Sequence, residues 1–278
     1  MASDSKPIVF YDIKTAPPVE KTCCSPNPWK ARLALNFKGV PYKTQWTPLP
    51  DVASTRKALN VPAVRKFADG SDFYTLPVIH DTATETKVGD SFDIAVYLQK
   101  TYPDSGSGNL FPDQKLDYHL PEKLPILVPL SDVRDSPYPE YANFNQTVDA
   151  AFTAHVQLTT FGFPFDPEVA DTCKAEFVRR ASIAGITSWD QFKLEGQGRQ
   201  NCFKSFEGML GGLADLYKKN GGPFLLGEKA CYADIIVGGW IKMYQRCLPK
   251  EEWEQVAGWH DGTFGKLADA LEQFSQVK

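Results

Sequence analysis

The run from Cys23 to Val40, CCSPNPWKARLALNFKGV, constrains the chain more than any other stretch. It follows an apolar run, Ile8-Val9-Phe10-Tyr11, that reads as a strand, and it spells a helix with a marked start. Ser25 is a good N-cap residue. Pro26 falls at N1, where a fixed φ helps and no N–H is needed. Trp29, Leu33 and Phe37 recur every four residues with Ala34 beside them, so one face is apolar. Gly39 closes the run as a C-cap glycine. The first turn is unusual because Pro28, at N3, also lacks an N–H. Ser25 can therefore cap only the N–H of Asn27. A hydroxyl left partly free there stands at the positive end of a helix dipole, where an anion or thiolate is favoured. Positive potential and a hydrogen-bond donor are what lower a thiol pKa. The plainer role for Ser25 is a helix cap and nothing more.

The rest of the chain decides between these roles. Its 278 residues allow one or two domains. A hydrophobic content of 42% supplies ample core. A net charge of −4 with no basic block argues against a nucleic-acid partner. Residues 1–7 form a polar leader with no apolar segment after it, so no secretory signal is expected. The apolar stretch near Ile235–Ile241 is too short to span a bilayer. Six cysteines, Cys23, Cys24, Cys173, Cys202, Cys231 and Cys247, show no framework spacing and no C-x-x-C. A cytoplasmic protein without a metal site is the simplest expectation.

In order, strands are expected at residues 8–13 and 42–47, with the helix between them. Residues 51–68 carry short helical signals, broken by Pro62 and closed by Asp69-Gly70. Residues 75–81 read as a strand with Pro77 near its start, consistent with a cis Leu76–Pro77 bond or with a trans proline opening an edge strand. Residues 82–85 form the hairpin turn, and 86–88 the return strand. Asp90 or Ser91 then caps a helix with Ile94, Tyr97 and Leu98 on one face. Asp104 to Asn109 is small and polar, a linker. Beyond residue 115 the strand signals stop. Five prolines, Pro121, Pro125, Pro129, Pro137 and Pro139, break residues 120–140 into pieces. Helices follow at 141–160, 168–183 and 198–219, and a mostly apolar one from Cys231 to Ile241 reads as the spine of a helical domain.

The motif S-P-x-x-W-K-x-R-x-A-L-x-x-K-G from Ser25, then L-P-V-I-x-D from Leu76, then D-S-x-x-I-A-x-Y-L from Asp90, occur in that order. Together they resemble the glutathione transferase superfamily, in particular the bacterial β-etherases and the etherase-related fungal-specific class A transferases. The resemblance implies an α/β thioredoxin-like domain over 1–103, a linker over 104–116 and an all-helical domain over 117–278. It implies glutathione as co-substrate, with no metal, and a homodimer. Ser25 would be catalytic and donate to the glutathione sulfur. Asn27, Leu76 and Pro77 would bind glutathione, the Leu76 backbone before a cis Pro77 pairing with the cysteinyl part, and Asp90 and Ser91 would hold the γ-glutamyl end, where a carboxylate suits an ammonium and helix N–H groups suit a carboxylate. Phe144, Phe152, Phe163 and Trp189 are candidates for the hydrophobic substrate site between the domains. The expected activity is conjugation or aryl-ether cleavage of small aromatic electrophiles, as in detoxification. Two alternatives stay open: a ligandin-type binding protein for hydrophobic aromatics, and a thiol reductase using Cys24. Tyr11 is expected to pack rather than react. The family usually places Ser or Thr where Cys231 stands, so the reciprocal cap between Cys231 and Asp234 is expected to be weak.

Overall fold

The structure, a computed structural model, describes residues 7–278 except 68, 121–125, 127–129, 132–134 and 183–184. The leader and the prolines Pro121, Pro125 and Pro129 thus fall outside the described residues, apart from Pro7 at its end. Strand β1, Ile8–Ile13, alternates buried and half-buried side chains, as the period of two requires. A short helical turn α1, Val19–Thr22, leads to α2, Pro26–Phe37. The chain returns as β2, Tyr42–Thr47, parallel to β1 with Ile8 opposite Tyr42. Helix α3, Val52–Ala58, comes next. A small hairpin follows, β3 at Arg65–Lys66 and β4 at Asp72–Phe73. Strands β5, Val78–Asp81, and β6, Thr86–Gly89, complete a four-stranded sheet in the order β2-β1-β5-β6. Helix α4, Ser91–Thr101, closes this half.

The expected strands at 8–13 and 42–47 are observed with those bounds, and the strand after Pro77 begins at Val78. The Leu76–Pro77 bond is cis. The β3–β4 hairpin was not anticipated from the sequence. Its strands are two residues each, too short to show a period.

The second half is helical: α5, Pro139–Ala154; α6, Gln157–Thr160; α7, Ala170–Ala181; α8, Gly196–Lys218; α9, Tyr232–Cys247; and α10, Lys250–Leu271. The single helix expected over 141–160 is interrupted at His155–Val156. Every residue of α9 from Tyr232 to Tyr244 is buried, so this helix is the spine the sequence promised. Its cap is stronger than expected. The Cys231 N–H donates to the Asp234 carboxylate at 2.8 Å and the Cys231 sulfur accepts from the Asp234 backbone N–H in the first turn, a complete capping box. Helix α10 lies beyond the sequence reading. Its backbone is non-helical from Trp259 to Gly262, with left-handed φ at His260, Asp261 and Gly262, which breaks the periodicity of its apolar residues.

The two halves meet where α2 lies on α9. Glycine is required there by close approach. A Cβ on Gly239 would fall 2.6 Å from Lys30 Cγ and 2.7 Å from the Pro26 carbonyl oxygen, so α9 seats the first turn of α2 backbone to backbone. One contiguous core runs from β1 and α2 through α4 into α5, α8, α9 and α10.

Candidate functional site

The first turn of α2 opens onto a cavity of about 180 Å³ at this seam. Ser25, Asn27, Leu76 and Phe163 line it, joined by Asp149 of α5 and Trp240 of α9. Ser25 is the N-cap of α2 by backbone geometry, yet its hydroxyl caps no backbone N–H. The hydroxyl stands in the positive end of the helix without serving the helix. Asn27 adds a second polar atom, since its Oδ1 is buried with no hydrogen-bond partner among the described residues. A buried acceptor with no donor is costly, and a ligand N–H or S–H would relieve it.

The backbone opposite is presented by the cis Leu76–Pro77 bond. The β1–β5 ladder ends at the Tyr11–Val78 pair, which leaves Leu76 beyond it. This loop is held from behind by Arg56, a fully buried side chain that sequence reasoning missed. Its guanidinium donates to the Thr75 carbonyl at 2.6 Å and also to the Pro62 carbonyl. Gly89 makes room for it, because a Cβ there would lie 2.4 Å from Arg56 Nη2.

Asp90 faces a neighbouring cavity of about 90 Å³. Its φ of 99° is a left-handed conformation that a non-glycine residue adopts only at a cost. One carboxylate oxygen accepts from the Phe92 N–H at 2.9 Å, which caps α4. The other accepts from the Ser131 hydroxyl at 2.9 Å, and that hydroxyl accepts in turn from Arg65 Nε at 3.0 Å. Ser91 is buried beneath, and its carbonyl takes a hydrogen bond from Tyr232. Asp90 and Ser91 are thus brought beside, but not into, the cavity of Ser25.

The wall between the cavities is ionic. Lys30, fully buried, pairs with Asp149 of the first cavity and donates to Asn145 of the second at 2.9 Å. The indole N–H of Trp240 donates to Asp149 at 2.6 Å. Burial pushes the Lys30 pKa below its ordinary value, and the Asp149 carboxylate opposes that shift. Lys30 falls in the motif at the start of α2, but its partners carry no signal in sequence, because Asn145 and Asp149 arrive on α5 and Trp240 on α9.

The other candidates separate. Cys24 is fully buried, and burial, followed by the nearby Cys247 thiol, pushes its pKa well above the ordinary range. Burial likewise pushes Cys23 up to about 12. Neither is poised as a thiolate. Tyr11 packs against Val52, Val61, Leu76 and Val78, the packing role expected of it. Of the aromatic candidates only Phe163 lines the cavity. Phe144 and Phe152 are core residues, each 1% exposed. Trp189 packs among Phe161, Phe165, Phe177 and Phe192 instead. Periodicity marks an apolar face but not whether that face meets a neighbour or a void. The cavity wall is built by residues that no motif flagged, among them Val156, Phe177, Arg180 and Met243.

A thioredoxin-like half joined to an all-helical half, with a cavity at their seam, is the glutathione transferase fold. The chain belongs to the glutathione S-transferase family. Residues 24–101 match the model of the family's N-terminal domain, and residues 142–274 that of its C-terminal domain. The chain is 30% identical to a glutathione S-transferase of Ceriporiopsis subvermispora solved in complex with glutathione, with a TM-score of 0.77, covering 98% of this chain and 99% of that one. It is 25% identical to glutathione transferase GSTFuA3 of Phanerochaete chrysosporium, with a TM-score of 0.79, covering 99% and 100%. It is also 28% identical to the glutathione S-transferase-like protein ustS of Aspergillus flavus, over 98% of this chain and 92% of that one. Among the described residues no helix is long and apolar enough to cross a membrane.

Proposed function

We propose that the chain is a serine-type glutathione transferase, related to the etherases, that acts on small aromatic electrophiles by conjugation or aryl-ether cleavage. The observation that carries this reading is the Ser25 hydroxyl, placed at the N-terminus of α2 in a cavity and not used as a cap. Glutathione enters with its sulfur at Ser25 and its cysteinyl backbone at Leu76. Its γ-glutamyl ammonium goes to Asp90, where it meets or replaces the Ser131 hydroxyl. The positive end of α2 and the Ser25 hydroxyl favour the thiolate over the thiol. Each unit of lowering corresponds to about 1.4 kcal/mol of preferential thiolate binding. The sulfur then attacks an electrophile held in the apolar part of the cavity. A homodimer is part of this reading.

An ultraviolet difference titration of bound glutathione tests it, on the wild type and on Ser25→Ala. A thiolate band in the wild type that is lost in the variant, with glutathione still bound, is the expected result. Binding without a band in either protein rejects the catalytic reading and leaves a carrier of hydrophobic aromatics.

A further inference from the structure

A second chamber of about 150 Å³ lies behind the cavity of Ser25. The two share five wall residues, Val156, Phe163, Phe177, Arg180 and Met243. The order of residues along the helices gives the direction. Asp149 and Thr153 face only the front, Val156 faces both, and Gln157 and Thr160 face only the rear. On α9, Trp240 faces the front, while Met243, about one turn on, faces both. The chamber therefore continues the front cavity away from Ser25, towards Ala181 and Phe192.

Each of its polar side chains already makes a hydrogen bond. Arg180 Nε donates to Glu176 at 2.7 Å, and its guanidinium lies 4.6 Å from the centre of the Phe73 ring. Hydrogen bonds from Arg179 and Arg180 pull Glu176 down to about 2, so its charge persists beside the two guanidiniums that share it. The Thr160 hydroxyl donates to the Val156 carbonyl at 3.2 Å, and the Gln157 amide to the Phe192 carbonyl at 3.2 Å. An anionic tail would compete with Glu176 for Arg180, and a neutral polar tail would shed its water against a wall that is mostly apolar. An apolar tail sheds nothing it needs.

We infer that the second substrate is elongated: a reactive aromatic head in the front cavity, and a neutral apolar tail of several carbons or a second ring in the rear chamber. This rests on the transferase reading and narrows its substrate class. The probe is a series of 4-alkylbenzyl chlorides from methyl to hexyl. The glutathione sulfur forms a bond to the benzylic carbon, the carbon–chlorine bond breaks, chloride leaves with the bonding pair, and the thiol proton passes to solvent. In the wild type kcat/KM should rise about threefold to fourfold per methylene and level off when the chamber is full. Ala181→Leu should bring the plateau one or two carbons earlier, and Phe192→Ala should move it to longer chains. A flat series in the wild type, or a rise that neither variant shifts, overturns the inference. Absence of turnover with every chloride would count against the transferase reading instead. Calorimetric affinities of the unreactive 4-alkylbenzyl alcohols, measured with glutathione saturating, then decide the chamber. Affinity that rises with chain length and responds to both variants supports it; affinity independent of chain length rejects it.

Discussion

Ser25 is a capping residue by position and by backbone geometry whose side chain does not cap. A hydrogen bond to a charged acceptor is worth about 1.5–3 kcal/mol, which is about one to two units of thiol pKa. Ser25→Ala should therefore raise the pKa of bound glutathione by about that much. It should lower kcat/KM near pH 6.5 about ten- to a hundredfold, with the KM for glutathione little changed. Steady-state kinetics across pH check this. Cys24→Ser should leave the thiolate band and the conjugation rate in place, because the buried sulfur faces Cys247 rather than the cavity. Activity lost in that variant and kept in Ser25→Ala would restore the thiol-reductase alternative. At this scale the sequence was informative where chemistry is local. Serine before proline, proline after leucine at a strand start, and aspartate opening a helix each mark their own position. Arg65 and Ser131 carry no such mark. They stand 66 residues apart, and only the fold makes them neighbours.

At the scale of elements, the seat of α2 on α9 positions Ser25. Gly239→Ala puts a methyl group against Lys30 and the Pro26 carbonyl, and must displace the turn that carries the hydroxyl. A loss of about 1–3 kcal/mol is expected from overpacking. It would be read as a lower thermal midpoint, together with a weaker thiolate band in the protein that remains folded. The capping box of α9 has a pH signature. Burial raises Asp234 to about 6, against the hydrogen bonds from Leu225 and Cys231 that lower it. Its protonated form is thus favoured more in the folded chain than in the unfolded one. The resulting stability is fully present below the ordinary carboxylate range near pH 4 and is lost as pH rises through about 6. Asp234→Asn should remove that slope from a plot of unfolding free energy against pH between 4 and 6. The helices with clean starts were legible: α2, α4 and α9 each have a capping residue followed by apolar periodicity. The β3–β4 hairpin was not, and α10 hides behind three left-handed residues that interrupt its period.

At the scale of the molecule, the sheet half and the helical half share one apolar cluster and a buried ion pair. Chemical unfolding should therefore follow a single transition, with tryptophan fluorescence and far-ultraviolet circular dichroism coincident. Two separated transitions would show that the seam is weaker than its burial implies. Asp149→Ala strands the fully buried Lys30 and should cost about 3–5 kcal/mol, read as a shift in the urea midpoint. Which aromatic side chains meet a void and which meet each other is also decided only here. Phe152 packs against Phe206, Trp240 and Tyr244 on the closed side, whereas Phe163, beside Phe165 and Phe177, also faces the cavity.

The bed of α2 also has a consequence in time. Gly238 and Gly239 follow the helix they receive by about 200 residues, and a ribosome adds about 5–20 residues each second. For some tens of seconds the nascent first half holds Trp29, Leu33 and their neighbours without the surface that buries them. During synthesis this is the interval in which that apolar surface is exposed to aggregation.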